Sequence, residues 1–183
     1  MFEELIARIA RELKKADLPY MIIGGQAVLL HGTPRMTKDI DITLGLDAES
    51  LENFLPVVDA MDLKIIPEDF RSFVKKTFVL PTRDEESGIR VDFIFSFTPY
   101  EKQAISRSKT VLLEGTEVMF ASAEDLIIHK VFAGRPRDLE DVKSIILKNP
   151  DIDKEYIKKW LTEFEKSPEK EGLEKVFEDV LNE

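Results

Sequence analysis

Cysteine is absent from this 183-residue chain and histidine occurs only twice. Disulfides are therefore excluded, a zinc centre is improbable on donor supply alone, and any resident metal should be a hard ion held by carboxylates. Long apolar runs are also missing. No stretch approaches the roughly 20 residues needed to cross a bilayer. The N-terminus, Phe2-Glu3-Glu4-Leu5-Ile6, reads as an acidic amphipathic helix with no signal-peptide pattern, so a cytoplasmic location and no membrane partner are expected. Positive charge is in short supply: 26 Lys and Arg face 36 Asp and Glu, a formal net charge of −10. Phosphate neutralisation by Lys and Arg supplies most non-specific nucleic-acid affinity, so broad binding of that kind is not expected. The scattered cations Lys75-Lys76, Arg83, Lys102 and Arg107-Lys109 read first as a solvated face.

What the chain does have is concentrated between Gly24 and Asp41. Tyr20-Met21-Ile22-Ile23 is a short run of strand formers, and Gln26-Ala27-Val28-Leu29-Leu30-His31 is helix-compatible, so Gly24-Gly25 falls at a strand-to-helix turn. Glycine lets the backbone approach a ligand closely, and the free N–H groups and dipole of a helix start favour an anion such as phosphate. A tight turn with no ligand is the plain alternative. Asp39-Ile40-Asp41-Ile42-Thr43-Leu44 alternates with the period of a half-buried strand, placing Asp39, Asp41 and Thr43 on one face. At roughly 3.3 Å of rise per residue the two aspartates stand about 6.6 Å apart, a spacing from which carboxylates can converge on adjacent metal ions.

A third carboxylate, Asp92, lies in Ile89-Arg90-Val91-Asp92-Phe93-Ile94-Phe95, a segment whose aromatic and β-branched content marks a buried strand. An aspartate in such a run needs a partner. A metal would serve, and so would Arg90, two residues earlier on the same face, which offers an ion pair with no chemistry attached.

Gly24-Gly25, the Asp39-Ile40-Asp41 pair and the distal strand residue Asp92 resemble the signature of the DNA polymerase β-like nucleotidyltransferase superfamily. The string from Gly24 to Asp41, the later Ala123-Glu124-Asp125-Leu126-Ile127-Ile128-His129-Lys130 segment and Arg135 to Asp141 are similar to its small prokaryotic branch, the minimal nucleotidyltransferases related to abortive-infection and toxin-antitoxin systems. The resemblance spans residues 18 to 148. It implies transfer of a nucleoside monophosphate from NTP to an acceptor hydroxyl, with release of pyrophosphate. Asp39 and Asp41 would hold two Mg²⁺ ions, while Asp92 would ligate the second and help remove the acceptor proton. The acceptor is left open among tRNA, protein and small molecule. Gly25 stands where many relatives carry serine, so phosphate contact there falls to backbone N–H groups. A second reading is a catalytically weak or inactive nucleotide-binding or protein-interaction module of a toxin-antitoxin type, acting as a homodimer or with an antitoxin partner.

Cations are expected near the phosphates. Arg35 and Thr37, with Lys38, lead into the Asp39 strand, so Arg35 can meet phosphates or form a salt bridge to Asp39 or Asp92. His31 reads as a histidine placed at a helix C-terminus. On the helix capped by Ser122 with Asp125 three residues on, Lys130 falls within the apolar arc. On the next helix, opened by Pro136, Asp138 falls in the arc of Leu139, Val142, Ile145 and Ile146. Lys130 therefore either reaches the triphosphate or pairs with Asp138, and Arg135 and Arg137 beside them read as solvated surface.

The remaining pattern predicts an α+β fold: a mixed β-sheet core with helices on one side over residues 1–121, and a C-terminal helical region over 122–183. Expected elements are a helix over Phe2 to Ala16, a helix from Asp47 to Ala60, a strand at Leu63 to Ile66, and a hairpin of Phe73 to Leu80 with Ile89 to Phe97. The hairpin's loop, Pro81 to Gly88, carries Asp84, Glu85 and Glu86, expected to be solvated. A helix over Pro99 to Ser106 and strands flanking Glu114-Gly115 follow. Three further helical segments end with one marked by Ser167-Pro168, burying Leu173, Val176, Phe177, Val180 and Leu181.

Overall fold

The computed structural model describes residues 1–167 and 170–182 and divides the chain into two compact units. The first unit holds Met1–Gln26 and Met36–Phe120. Helix α1 (Phe2–Lys15) opens it, burying Leu5, Ile6, Ile9, Ala10 and Leu13 at helical spacing, with Glu3 and Glu4 at its positive end and Lys14 and Lys15 at its negative end. Strand β1 (Tyr20–Ile23) is buried throughout and runs directly into α2 (Gly24–His31). Then come β2 (Asp39–Leu44), α3 (Leu51–Ala60), β3 (Lys64–Ile65), α4 (Phe70–Thr77), β4 (Val79–Arg83), β5 (Arg90–Phe95), α5 (Pro99–Ser106), β6 (Lys109–Leu113) and β7 (Thr116–Phe120). The fold class is α+β. The seven strands form one mixed sheet in the order β3-β4-β5-β2-β1-β7-β6, in which β2–β5 and β1–β7 pair in parallel and the other neighbours antiparallel.

The two faces of the central strands differ because the sequence alternates. Ile40, Ile42 and Leu44 of β2 and Val91, Phe93 and Phe95 of β5 are almost wholly buried. Phe54 of α3 packs edge-on against Phe93, with ring centroids 5.0 Å apart, and against Phe95 at 5.7 Å. Edge-to-face geometry suits the aromatic quadrupole. With this face covered, Asp39, Asp41, Arg90 and Asp92 are left on the other.

Residues 73–80 depart from the expected hairpin strand. Asp69 accepts a hydrogen bond from the Ser72 N–H and starts α4, and Phe78, at φ 58°, ends it in the left-handed conformation with its N–H on the Val74 carbonyl. Two local caps thus win a helical turn from a β-favouring run, and the strand starts at Val79 and runs through Pro81 to Arg83. The following turn also differs. Glu85 and Glu86 are exposed, but Asp84 is only 5 % exposed. It accepts from the Ser87 N–H at 2.8 Å and hydroxyl and from Arg8 of α1. Burial alone would raise the Asp84 carboxyl, but the bonds from Ser87 and the Arg8 guanidinium together hold it below its ordinary value.

The second unit joins Ala27–Arg35 to the chain from Ala121 onward. Its helices are α6 (Ala123–Ala133), α7 (Pro136–Lys148), α8 (Lys154–Phe164) and α9 (Leu173–Asn182). Ser122 caps α6 by accepting from the Asp125 N–H, Pro136 occupies the first turn of α7, and Asp153 caps α8 through the Tyr156 N–H. Of the helix start marked by Ser167-Pro168, Pro168 lies outside the described residues; α9 buries Leu173, Phe177 and Val180.

Because Phe54 is 0 % exposed and fills the space over two aromatic side chains of β5, Phe54→Ala is expected to cost about 3–5 kcal/mol. Urea unfolding monitored by circular dichroism checks this, with Phe73→Ala at an exposed α4 position as the small-effect control.

Candidate active site

Parallel pairing of β2 with β5 sets Asp41 opposite Asp92 and Asp39 opposite Arg90. Residues paired this way project from the same face, about 4.8 Å apart across the strands. Three carboxylates and one guanidinium therefore occupy four adjacent positions. Arg90 Nε donates to Asp92 Oδ1 at 2.7 Å; the Arg90 side chain is 50 % exposed and that of Asp92 15 %. The bond to Asp92 raises the Arg90 pKa above its ordinary value against the opposing effect of burial, and the charges of Asp92, Asp39 and Asp41 add to the rise.

The glycine turn abuts this quartet because β1 pairs with β2 so that Ile23 lies opposite Asp41. Gly24, at φ +64°, comes next, and a Cβ there would fall 2.0 Å from Asp41 Oδ2. Glycine is thus required twice, by conformation and by the carboxylate packed against it. Gly25 meets a different neighbour: a Cβ would lie 2.3 Å from Thr37 Oγ1 and 2.8 Å from Thr37 Cβ. The Thr37 hydroxyl fills that volume and donates weakly to the Asp39 carbonyl at 3.3 Å and to Asp39 Oδ1 at 3.4 Å. A side-chain hydroxyl is therefore present at this turn, supplied from residue 37.

Asp39, Asp41 and Asp92 offer hard carboxylate oxygens of the type Mg²⁺ prefers, and in donor chemistry the set fits such an ion. No three His, Asp or Glu side chains are gathered around a single point among the described residues. The Asp92 carboxylate is instead engaged by Arg90.

The other cations of the sequence pattern belong to the second unit. Arg35 makes a two-pronged contact with Asp141, Nε to Oδ1 at 2.8 Å and a terminal nitrogen to Oδ2 at 2.9 Å. Lys130 Nζ lies 2.8 Å from Asp138 Oδ1 and 2.9 Å from Asp141 Oδ2, with all three side chains at least nine-tenths buried. Arg135, mostly exposed, also donates to Asp138 at 2.6 Å. Asp141 was missed by the sequence reading, although the helical count that turned Asp138 inward carries to residue 141 three positions on. Burial pushes both carboxyls up; the bonds from Arg135 and Lys130 on Asp138, and from Arg35 and Lys130 on Asp141, outweigh it and leave both below the ordinary value. His31 ends α2 and donates from Nε2 to the Ala121 carbonyl at 2.8 Å. A further buried carboxylate, Asp125, accepts from the Tyr156 hydroxyl at 2.8 Å and the Ser122 hydroxyl at 2.6 Å.

A family model described as a nucleotidyltransferase of unknown function, DUF6036, matches residues 1–180. The chain belongs to this nucleotidyltransferase family. No curated protein matches it. Among solved structures, the fold is similar to an antigenic nucleotidyltransferase-like protein from Paracoccidioides brasiliensis, at 18 % identity and a TM-score of 0.57, over 95 % of this chain and 92 % of that one. It is also similar to ANT(2″)-Ia in complex with adenylyl-2″-tobramycin, at 17 % identity and a TM-score of 0.57, over 97 % of both chains. At these identities the likeness shows a shared fold, and family membership supplies the transferase class.

Three outcomes follow from this geometry. Gly25→Ser should destabilise the protein by about 1–3 kcal/mol through overpacking against Thr37, and a Gly25→Ser/Thr37→Gly variant should recover most of that loss in urea unfolding. Lys130→Ala leaves Asp138 and Asp141 buried with one cation fewer and should cost about 3–5 kcal/mol. Since both carboxyls are depressed by folding, their stabilisation is present above the ordinary carboxylate range and is lost as pH falls through the lower folded values. Acid unfolding below about pH 4 should therefore be less steep in an Asp138→Asn/Asp141→Asn variant than in the native protein.

Proposed function

We propose that this protein transfers a nucleoside monophosphate from NTP to a hydroxyl of an acceptor, releasing pyrophosphate, at the Asp39, Asp41 and Asp92 carboxylates. The observation that carries the reading is the in-register set on β2 and β5, flanked by a glycine turn in which Gly24 packs on Asp41 and Gly25 on Thr37. In the reaction the acceptor oxygen bonds to the α-phosphorus while the bond from that phosphorus to the pyrophosphate oxygen breaks, its electron pair leaving with pyrophosphate. The acceptor's proton passes to the Asp92 carboxylate and then to solvent. The N–H groups opening α2 and the Thr37 hydroxyl hold phosphate oxygens. Mg²⁺, as two ions held by Asp39, Asp41 and Asp92, supplies neutralisation of the phosphate charge when bound. Most of the rate in such transfers comes from positioning and charge stabilisation, which a rigid strand pair suits.

Arg35 and Lys130, the other candidate nucleotide contacts, are held by Asp141 and by Asp138 with Asp141, so the reading rests on the carboxylates and the glycine turn alone. An NTP-dependent reaction fits a cytoplasmic protein. Acceptor candidates remain tRNA, protein and small molecule; likeness to a structure holding adenylyl-tobramycin supports testing polyhydroxylated small molecules first. The second reading, a nucleotide-binding module with little turnover acting in a toxin-antitoxin pair or as a homodimer, is favoured by the engagement of Asp92 with Arg90.

Incubation with α-labelled NTPs, Mg²⁺ and pools of small hydroxylated compounds, RNA and proteins separates the readings. The native protein is expected to label an acceptor, and Asp39→Asn/Asp41→Asn to lose at least about 100-fold in rate, on the scale of losing electrostatic stabilisation at a transferring group. Label transfer that persists in the double variant removes these aspartates from the mechanism, whereas Mg²⁺-dependent NTP binding without any labelling supports the binding module.

A further inference from the structure

We propose that Arg90 is a built-in counter-cation of the carboxylate set, competing with a divalent cation for Asp92 and surrendering it when a substrate anion arrives. The inference rests on the transferase reading and adds its control. Three aspartates on neighbouring positions of two strands repel one another, and the cost of holding them together must be offset. The register supplies the offset without relying on any one side-chain rotamer, because Arg90 is the strand partner of Asp39 and stands two residues before Asp92 on the same face. Its observed bond selects Asp92, the carboxylate assigned to the acceptor proton.

A carboxylate held by a guanidinium is a poor base and a poor metal ligand, since its charge is already shared. Arg90 and Asp92 differ in their freedom to move. Asp92 is 15 % exposed on a short stem, while Arg90 is half exposed on a long flexible one. The guanidinium is therefore the group that can swing away. Arg83, exposed on β4, is the strand partner of Arg90 on its other side, so a second cation disfavours a swing in that direction in the absence of an anion. A triphosphate changes the balance. The planar fork of Arg90 matches phosphate oxygens at least as well as carboxylate, and phosphate binding by Arg90 would free Asp92. The consequence is ordered loading, in which free metal binds weakly and the metal–nucleotide complex assembles the full carboxylate set.

Mn²⁺ serves as the probe, titrated by electron paramagnetic resonance into the native protein, Arg90→Gln, Asp92→Asn and the double variant, with and without a non-hydrolysable NTP analogue. Without nucleotide, Arg90→Gln is expected to bind free Mn²⁺ about 30-fold more tightly than the native protein, the effect of removing one unit charge about 4 Å from a divalent ion in a water-like dielectric. With Asp92 already changed to Asn, the same substitution should have a clearly smaller effect, because only the through-space repulsion by Arg90 is left to remove. The nucleotide analogue should raise Mn²⁺ affinity in the native protein and raise it less in Arg90→Gln. Thermal melts provide the structural check: without metal Arg90→Gln should melt lower than the native protein, and Mn²⁺ should raise it by the larger increment. Equal or weaker Mn²⁺ binding by folded Arg90→Gln overturns the counter-cation role while leaving the transferase reading intact. Absence of Mn²⁺ binding in every variant, with or without nucleotide, overturns both.

Discussion

The parallel pairing of β2 with β5 is the constraint on which the candidate centre depends. Shifting it by one residue would turn every side chain of β2 to the opposite face relative to β5, sending Asp39 and Asp41 toward the aromatic layer formed by Phe54, Phe93 and Phe95. The hydrophobic alternation prevents that shift. Ile40, Ile42 and Leu44 can be buried only if the aspartates face away, and Val91 and Phe93 impose the same choice on Arg90 and Asp92. Burial on one face therefore fixes the chemistry on the other. No separate interaction is needed to align the carboxylates.

Charge is handled differently in the two units. In the first, Asp39, Asp41 and Asp92 stand beside the Arg90 guanidinium on a partly open face of the sheet. In the second, Asp138 and Asp141 are buried with Lys130 and are also met by the partly exposed Arg35 and the mostly exposed Arg135. The buried cluster is structural in character, since removing Lys130 leaves two buried carboxylates short of a cation in low dielectric. The open one has the partial exposure that a ligand-binding set needs, which is why the proposed function is placed there.

The sequence made much of this legible. Alternation at residues 39–44 and 89–95 marked both strands and their polar faces, the glycine pair marked the turn, and Arg90 was visible as a salt-bridge partner for Asp92. Lys130 and Asp138 were identifiable as inward-facing by counting helical steps. Other features were not readable. The α4 helix overrode a β-favouring run because the Asp69 cap and the left-handed Phe78 act through local hydrogen bonds that composition does not weight. Asp84 appeared to be a solvated loop residue because its partner, Arg8, is far away in sequence.

What the sequence determined by itself was the chemical inventory and its faces: hard oxygen ligands in place of sulfur or imidazole, an anion-suited turn, and two amphipathic strands. These are local properties, set by side-chain type and a period of two or 3.6 residues. Tertiary structure decided which groups became neighbours. It set Asp92 beside Asp41 and Arg90 beside Asp39, placed the Thr37 hydroxyl in the volume a Gly25 side chain would need, and gave Arg35 to Asp141. Such pairings depend on strand order, register and chain return, which arise from burying the whole core at once and are written in no single segment.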